Sequence, residues 1–487
     1  MINIYVDSDH RGMYTKRIQC EPGTNLYQVL QQHEITLPGA VCRGAGVCGG
    51  CQVYIAEEGM ECRACRYMVQ QDIHVRLRQA PGQQTILLCG ATTNEPTTNE
   101  RVGQPTFDLL KPGIESHTRL GMAVDIGTTT IASVLMNLET GQIYAQAGCM
   151  NQQAVYGADV ISRIQYAGEP AKRDIKGTET GLDVMHRILM RDIQSLIRYY
   201  DQIGYPESQI QRICYSGNTT MLHFLRKQSV AGMMGYPFTP EFLDGIREEQ
   251  DGREILILPG KSAFVGADIV SGVRHLHMGE RAEYELLIDL GTNGELWLIN
   301  RERGVCTSTS CGPAFANSVQ KGSVYGSSLL DQLAQAYQNK TVDQNGLLQK
   351  DYFETGLPCG EYVITQECIR DIQLAKAAIR TGIELAAYEL RLPLSNIERV
   401  WLAGGFGFYL NLESAYTLGL LPEEFRGKIQ IAGNTSLEGA CDALLHPEER
   451  MELPETLKHS TVLDLSMSKN FQEFFLHRIP FPERTDG

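Results

Sequence analysis

Residues 120–141 read LGMAVDIGTTTIASVLMNLETG, and residues 283–304 read EYELLIDLGTNGELWLINRERG. Both stretches place an Asp-x-Gly-Thr turn between two apolar runs, which is the pattern of two strands joined by a tight turn. The two copies lie too far apart along the chain to be neighbouring units of a solenoid. They predict two α/β lobes of similar build, over residues 119–282 and 283–487.

The residue types in these turns favour phosphate binding. Glycine allows backbone N–H groups to approach a phosphate closely, and threonine hydroxyls add further donors. A carboxylate at the end of a strand suits Mg²⁺ or its bound water, so we assign that catalytic role to Asp125 and Asp289. One such turn is a weak signal, whereas two matched copies are a strong one. The predicted phosphate-binding residues are Gly127, Thr128, Thr129, Thr130, Gly291, Thr292, Asn293 and Gly294.

A third glycine motif, LAGGFG at residues 402–407, ends a predicted strand that follows a long helical pattern. Gly404 and Gly405 would let an adenosine pack on bare backbone. The three motifs together resemble those of the actin-like ATPase and sugar-kinase superfamily, which implies ATP as the nucleotide. A P-loop is disfavoured because GKS at 260–262 lacks the earlier glycine, and no GxGxxG follows a strand.

The cysteines are concentrated near the start of the chain. Seven of the 14 precede residue 90, and clustering of this kind in a long chain indicates a metal site rather than a disulfide framework. Cys42, Cys48 and Cys51 are spaced x5 and x2 in a glycine-rich loop. Zinc usually brings paired CxxC knuckles or histidines, so the loop favours a [2Fe–2S] cluster.

Residues 1–92 resemble the plant or adrenodoxin-type ferredoxin domain, an α+β fold of the β-grasp kind. In that family the fourth ligand precedes a strand, as Cys65 does before YMVQQDIHVRL. The resemblance therefore implies Cys65 as the fourth ligand, with Cys89 and Cys62 as alternatives. Residues 93–118 are polar and interrupted by proline and glycine, and we interpret them as a linker.

Composition excludes some classes of function. The chain has 487 residues, 43% of them hydrophobic, and a formal net charge of −15, so a nucleic-acid binder with a basic face is disfavoured. No apolar run approaches the ~18 residues of a membrane span, and the start of the chain lacks an apolar signal core. We expect a cytoplasmic protein that contacts neither nucleic acid nor membrane.

The order of the motifs is more specific than either half alone. A [2Fe–2S] domain followed by AVDIGTTT, CYSGNTTM, LLIDLGTNGE, CGPAF and LAGGFG resembles the ATP-dependent reductive activators of corrinoid proteins. The resemblance implies reduction of Co(II) to Co(I) in a methyltransferase system, with a corrinoid protein and an upstream low-potential electron donor as partners. It also implies Mg²⁺ beside ATP and a homodimer. Larger members carry an extra domain where this chain has only residues 93–118.

Three other functions stay open from the sequence. The first is an ATP-dependent electron-injecting activator of a different enzyme, which in the known cases lacks a ferredoxin domain. The second is a kinase with a structural iron–sulfur domain, and the third is a non-catalytic protein whose binding depends on nucleotide. Iron content and the response of ATP turnover to a corrinoid protein distinguish them.

Overall fold

The computed structural model describes residues 2–7, 16–33, 35, 52–58, 60–77, 118–168, 172–174, 177–309, 326–359 and 362–484. Its sheets confirm the predicted fold class, a small α+β unit followed by two α/β lobes. Among the described residues, no helix combines the length and the apolar character needed to cross a membrane.

The N-terminal unit is a mixed five-stranded sheet with one helix packed on it. The sheet order is β2-β1-β7-β4-β5, and β1 pairs with β7 in parallel while its other neighbour is antiparallel, as in a β-grasp fold. Helix α1 begins after Asn25, whose side chain accepts a hydrogen bond from the Gln28 amide. The elements are β1 Ile2–Asp7, β2 Lys16–Cys20, β3 Thr24–Asn25, α1 Leu26–Gln32, β4 Gln52–Ile55, β5 Met60–Arg63, β6 Met68–Val69 and β7 Ile73–Leu77.

The first lobe contains a six-stranded sheet in the order β10-β9-β8-β13-β15-β14. Three antiparallel strands come first, and β13 and β15 then add in parallel beside β8. The elements are β8 Leu120–Ile126, β9 Thr130–Asn137, β10 Ile143–Met150, α2 Val160–Ala167, β11 Lys172–Asp174, β12 Gly177–Glu179, α3 Gly181–Gln202, β13 Ile210–Gly217, α4 Thr219–Arg226, β14 Ile246–Gln250, β15 Arg253–Ile257 and α5 Ala267–His275.

The second lobe repeats this topology in the sheet β22-β21-β16-β17-β18-β23. Again three antiparallel strands are followed by two strands in parallel beside the first of them. The elements are β16 Tyr284–Leu290, β17 Gly294–Ile299, β18 Gly304–Thr309, α6 Gly326–Gln338, β19 Leu357–Cys359, β20 Tyr362–Ile364, α7 Gln366–Glu389, β21 Ile397–Ala403, α8 Gly404–Phe408, α9 Leu412–Leu418, β22 Ile429–Gly433, α10 Thr435–Leu445, α11 Pro447–Arg450, α12 Glu455–Lys458, β23 Thr461–Val462 and α13 Phe471–Arg478.

The two lobes exchange a helix. Helix α10 lies between β22 and β23 of the second sheet in sequence, but its apolar side chains belong to the core of the first lobe. Helix α5 follows the first sheet, and its apolar side chains share a core with Leu287 and Trp297 of the second. The helices approach closely at two glycines, since a Cβ on Gly272 would lie 2.5 Å from the Thr435 hydroxyl and one on Gly439 would lie 2.6 Å from the Ser271 carbonyl. The exchange places the start of α10 beside the end of β8.

Candidate functional site

The first predicted phosphate turn, residues 127–129, joins β8 to β9, and Thr130 is the first residue of β9. Asn151 supports the turn from behind, because its side-chain amide donates to the Gly127 carbonyl at 2.9 Å and its backbone amide donates to the Thr129 carbonyl at 2.9 Å. Asn218, at the start of α4, donates to the Thr128 hydroxyl at 3.1 Å. The turn therefore has a fixed shape before any ligand binds.

The second turn, residues 291–293, joins β16 to β17. Counted between the last paired residues of the two strands, the second connection is one residue shorter than the first, because Leu290 pairs with Gly294 whereas Ile126 pairs with Ile131. In the first hairpin Asp125 pairs with Ala132, whereas in the second hairpin Asp289 pairs with Glu295. Two carboxylates directly opposite each other destabilise a sheet. The second copy therefore carries an acidic pair that the first copy lacks, and this difference is expected of a functional position.

The two turns meet. The Thr129 and Thr292 hydroxyls lie 2.8 Å apart, although they belong to different lobes. The structure therefore brings the two predicted phosphate turns together at these threonines, whereas their binding of phosphate stays a prediction.

Four carboxylates lie near this meeting point. They are Asp125 and Asp289 at the strand ends, Asp268 in the first turn of α5, and Glu295. Burial, and then the neighbouring carboxylates, raise the pKa of Asp289 to about 8. Burial and the charge of Asp125 raise the pKa of Asp268 to about 7. Burial, Asp268 and Asp289 together hold the pKa of Glu295 well above its usual range.

Asp125 differs from the other three because two donors from the exchanged helix stabilise its charge. The Ser436 hydroxyl donates to it at 2.7 Å and the Asn434 side-chain amide at 3.1 Å. Burial raises the pKa of Asp125, and these two hydrogen bonds oppose the rise.

This concentration of carboxylates fits a hard cation that binds oxygen ligands. Within the described residues, no three acidic, histidine or cysteine side chains are close enough to form a complete protein cage for a metal ion. Mg²⁺ in nucleotide sites keeps several waters and takes its remaining ligands from one or two carboxylates and the phosphates. The donor set therefore fits Mg²⁺ brought with a nucleotide.

Gly404 of the third motif lies directly behind Asp289. Its φ is +81°, and a Cβ would lie 2.4 Å from the Asp289 Oδ1 and 2.6 Å from the Leu290 carbonyl. Only glycine fits this left-handed position without strain. Gly405, by contrast, has no heavy atom of the described residues within 4 Å of where its Cβ would be, so this part of the structure leaves its backbone uncovered.

The predicted cluster ligands are only partly within the described residues. Cys42, Cys48, Cys51 and the alternative Cys89 lie outside them. Cys65 lies in the short 3₁₀ helix at residues 64–66. Its carbonyl accepts a 3.0 Å hydrogen bond from Asn25, the residue that caps α1.

The other alternative, Cys62, lies on β5. Cys65 and Cys62 are both half-buried, and a cysteine thiolate is the donor that an iron–sulfur cluster requires. The choice of fourth ligand among Cys65, Cys62 and Cys89 stays a prediction.

Sequence reasoning missed Asp268, Glu295, Asn218, Asn434 and Ser436. Glu295 immediately follows the second turn motif. Counting the strand pairing across that turn would have placed Glu295 opposite Asp289. Asn218 is in the GNTTM stretch and Asp268 in FVGADIVSG, both of which carry the family resemblance without revealing a role. Nothing in the local sequence connects Ser436 with Asp125, because only the helix exchange brings them together.

Comparison with known proteins identifies relatives over both lobes. The family model described as the RACo middle region matches residues 120–281. The model described as the C-terminal domain of RACo, the ASKHA domain, matches residues 283–323 and 316–486. Together the two models cover most of the chain.

Two curated proteins and one solved structure are similar over most of their length. The corrinoid activation enzyme RamQ of Eubacterium limosum is 26% identical over 447 residues, 78% of this chain and 73% of that protein. The [Co(II) methylated amine-specific corrinoid protein] reductase of Methanosarcina barkeri is 22% identical over 429 residues, covering 74% and 77%. The reductive activator for corrinoid, iron-sulfur protein has the same fold, with a TM-score of 0.67, 24% identity and 99% of each chain covered.

Proposed function

The chain belongs to the RACo family of reductive activators of corrinoid proteins, and from this premise we propose that it uses ATP to drive an electron onto the Co(II) corrinoid of a methyltransferase system. The observation that carries the proposal is the meeting of the two phosphate turns, with carboxylates from both lobes around them. Such a site binds a polyphosphate between two lobes that are able to move relative to each other.

Cys42, Cys48, Cys51 and Cys65 would hold a [2Fe–2S] cluster in the N-terminal unit. When bound, such a cluster supplies one electron at a time, near −400 mV in plant-type ferredoxins. Each ~100 mV of uphill transfer costs about 2.3 kcal/mol for one electron. Binding or hydrolysis of one nucleotide is sufficient for a gap of a few hundred millivolts, and this is the energetic reason for an ATP site in an electron-transfer protein.

In the ATPase half, each residue has a definable task. The two turns hold the phosphates through backbone amides and threonine hydroxyls. The hydrogen bonds from Ser436 and Asn434 favour the ionised form of Asp125, which would orient Mg²⁺ or its water. Asp289, whose pKa burial and the neighbouring carboxylates raise to about 8, would be the second carboxylate that holds Mg²⁺ or positions its water.

The helix exchange explains how a change at the nucleotide site would alter the arrangement of the two lobes. Asp125 on β8 is hydrogen-bonded to the start of α10, which directly follows β22 of the second sheet. A change at Asp125 therefore acts on both halves of the chain, and lobe closure on nucleotide is an established mode of switching. A homodimer and an upstream low-potential donor complete the proposal.

A spectroscopic titration tests it. The dithionite-reduced protein is mixed under anoxic conditions with the Co(II) form of a candidate corrinoid protein, and Co(I) absorbance is followed with Mg·ATP, with Mg·ADP and without nucleotide. We expect Mg·ATP to increase both the rate and the extent of Co(I) formation. If ATP changes neither, while the protein contains two irons per chain, the proposed coupling is wrong.

A further inference from the structure

A buried arginine lies behind the first phosphate turn. Arg163, on α2, has no exposed surface. Its Nε donates to the Gly157 carbonyl at 2.9 Å, and one terminal nitrogen reaches the Gln153 side chain at 3.4 Å. Among the described residues, the other terminal nitrogen, Nη2, has no hydrogen-bond partner. The protein therefore satisfies this side chain only in part.

The charge of Arg163 is not neutralised by a salt bridge within the described part of the chain. The acidic residue that influences it is Asp159, whose carboxylate instead caps α2 by accepting from the Ser162 amide at 2.8 Å. Burial lowers the pKa of Arg163 to about 10, so the side chain remains a cation at neutral pH. A buried cation without an anion is unfavourable. An anionic ligand that binds nearby would compensate this charge.

The position of Arg163 indicates what that ligand is. The Met221 sulfur lies 3.7 Å from the Arg163 Nη1 and 3.6 Å from the Asn151 side-chain nitrogen. The same nitrogen donates to the Gly127 carbonyl at 2.9 Å. Two side chains in series, Met221 and then Asn151, therefore separate the guanidinium from the first phosphate turn, and interactions between charges are weakly screened in such an interior.

We propose that Arg163 is the buried counter-charge for the polyphosphate of a bound nucleoside di- or triphosphate, and that it acts as a positioning residue through Asn151 and the first turn. This rests on the proposed function only in that the ligand is a nucleotide. The contribution of such a charge to the binding free energy increases with the negative charge of the ligand. A structural arginine that only supports residues 153–157 would affect all adenine ligands equally.

The experiment compares the full-length wild-type chain with Arg163→Met and Arg163→Lys, and measures the Kd of Mg·ATP, Mg·ADP and adenosine by calorimetry. Arg212→Met is the matched control, because Arg212 is in the same lobe but pairs with Glu254 at 2.5 Å near the start of β13. We expect Arg163→Met to weaken Mg·ATP about tenfold, to weaken Mg·ADP less, and to leave adenosine unchanged. Arg163→Lys and Arg212→Met should keep the wild-type ratio of ATP to adenosine affinity.

The nucleotide-free proteins give a second readout. Because Arg163→Met removes an uncompensated buried charge, its thermal midpoint without ligand should equal or exceed that of the wild type. The proposal is overturned if Arg163→Met loses the same affinity for all three ligands, or loses none. If Arg163→Met does not fold, Arg163→Lys decides, since a uniform loss of affinity in that variant also contradicts a role based on charge. A wild-type chain that binds no adenine nucleotide overturns the proposed function as well, whereas normal wild-type binding with an unchanged variant profile overturns only this inference.

Discussion

The Ser436 hydroxyl donates a 2.7 Å hydrogen bond to the carboxylate of Asp125, and so connects the exchanged helix α10 with the strand that leads into the first phosphate turn. Among the four carboxylates of the site, Asp125 alone accepts such donors from α10. The bond therefore connects the carboxylate proposed to orient Mg²⁺ with a helix that directly follows β22 of the second lobe.

Replacement of Ser436 by alanine should shift the pH dependence of ATP turnover. Ser436 and Asn434 oppose the rise in the pKa of Asp125 that burial causes, so loss of one donor raises that pKa further. A hydrogen bond to a charged group is worth about 1.5–3 kcal/mol, and we expect turnover at pH 7 to fall about tenfold or more. The measurement is a pH–rate profile, whose acid limb should move to higher pH.

Ser414→Ala is the control for this prediction. Ser414 also donates to a carboxylate, that of Asp331, in a partly buried hydrogen bond of 2.5 Å. This pair joins helices α6 and α9 outside the site. Its loss should leave the acid limb in place. An unshifted limb in Ser436→Ala would show that Asp125 does not need its charge for turnover.

The stability of the nucleotide-free protein should fall as pH rises from about 4 to 8. In the folded state the pKa of Asp268 is about 7 and that of Asp289 about 8, so both keep protons that the unfolded chain releases near pH 4. Because the folded state binds more protons in this window, the free energy of unfolding decreases with pH, by at most about 1.4 kcal/mol per unit for each group. Urea unfolding at pH 5 and pH 8 measures the slope.

Two changes should reduce that slope. Asp289→Asn removes one of the titrating groups, and Mg·ATP supplies a cation that compensates the ionised carboxylates. Asp251→Asn, at an exposed position, is the control and should preserve the wild-type slope. A slope that is the same in Asp289→Asn and in the wild type would mean that Asp289 is ionised in the free protein.

Gly404→Ala should be more harmful than the same change at another left-handed glycine. The φ of Gly404 is +81° and that of Gly427 is +76°, but a Cβ on Gly427 meets nothing within 4 Å. Gly427→Ala therefore costs about 1–2 kcal/mol from backbone conformation alone. Gly404→Ala adds a clash with Asp289 and should also lose most of its affinity for ATP. Thermal unfolding and nucleotide titration of the two variants measure the difference, and equal behaviour would contradict the close packing behind Asp289.

The sequence predicted those parts of the site that are contained in one local pattern. The two Asp-x-Gly-Thr hairpins and the glycines at 404 and 405 could be located because a strand–turn–strand pattern fixes where its turn residues lie. Glu295 was missed because the second turn is one residue shorter, which changes the residue opposite Asp289 from the alanine of the first copy. Ser436 and Asn434 were missed because their contact with Asp125 depends on the path of α10 across the lobes, and no local pattern encodes that path.

His275 should stabilise the packing of the exchanged helices. It lies at the end of α5, where its two ring nitrogens lie 2.8 Å from Glu438 and 3.0 Å from Asp442 on α10. Burial disfavours the charged ring, but the two carboxylates outweigh burial and raise the pKa of His275 to about 10. His275→Ala leaves both carboxylates without this cation and should lower the free energy of unfolding by about 1–3 kcal/mol at pH 6.

The sign of the pH dependence makes this prediction specific. Because the pKa is higher in the folded state, the stabilisation is complete below the unfolded value near 6.5 and is lost as pH rises toward 10. The gap between wild type and His275→Ala should therefore shrink between pH 6 and pH 9.5. His277→Ala is the control, since His277 is 67% exposed and its ion pair is with the equally exposed Glu280. A gap that stays constant with pH would indicate lost packing rather than lost charge.

The fourth cluster ligand can be assigned by comparing Cys65→Ser with Cys62→Ser. The two thiols are close in sequence and both half-buried, so each variant is a control for the other. We expect Cys65→Ser to lower the iron content per chain or to change the g-values of the reduced cluster, because serine oxygen replaces a thiolate ligand. Cys62→Ser should retain two irons and the wild-type EPR spectrum. The carbonyl of residue 65 keeps its bond from Asn25 in both variants, so a loss of iron would report the thiol itself. Iron loss in Cys62→Ser alone would assign the ligand to β5 instead, and retention in both would point to Cys89.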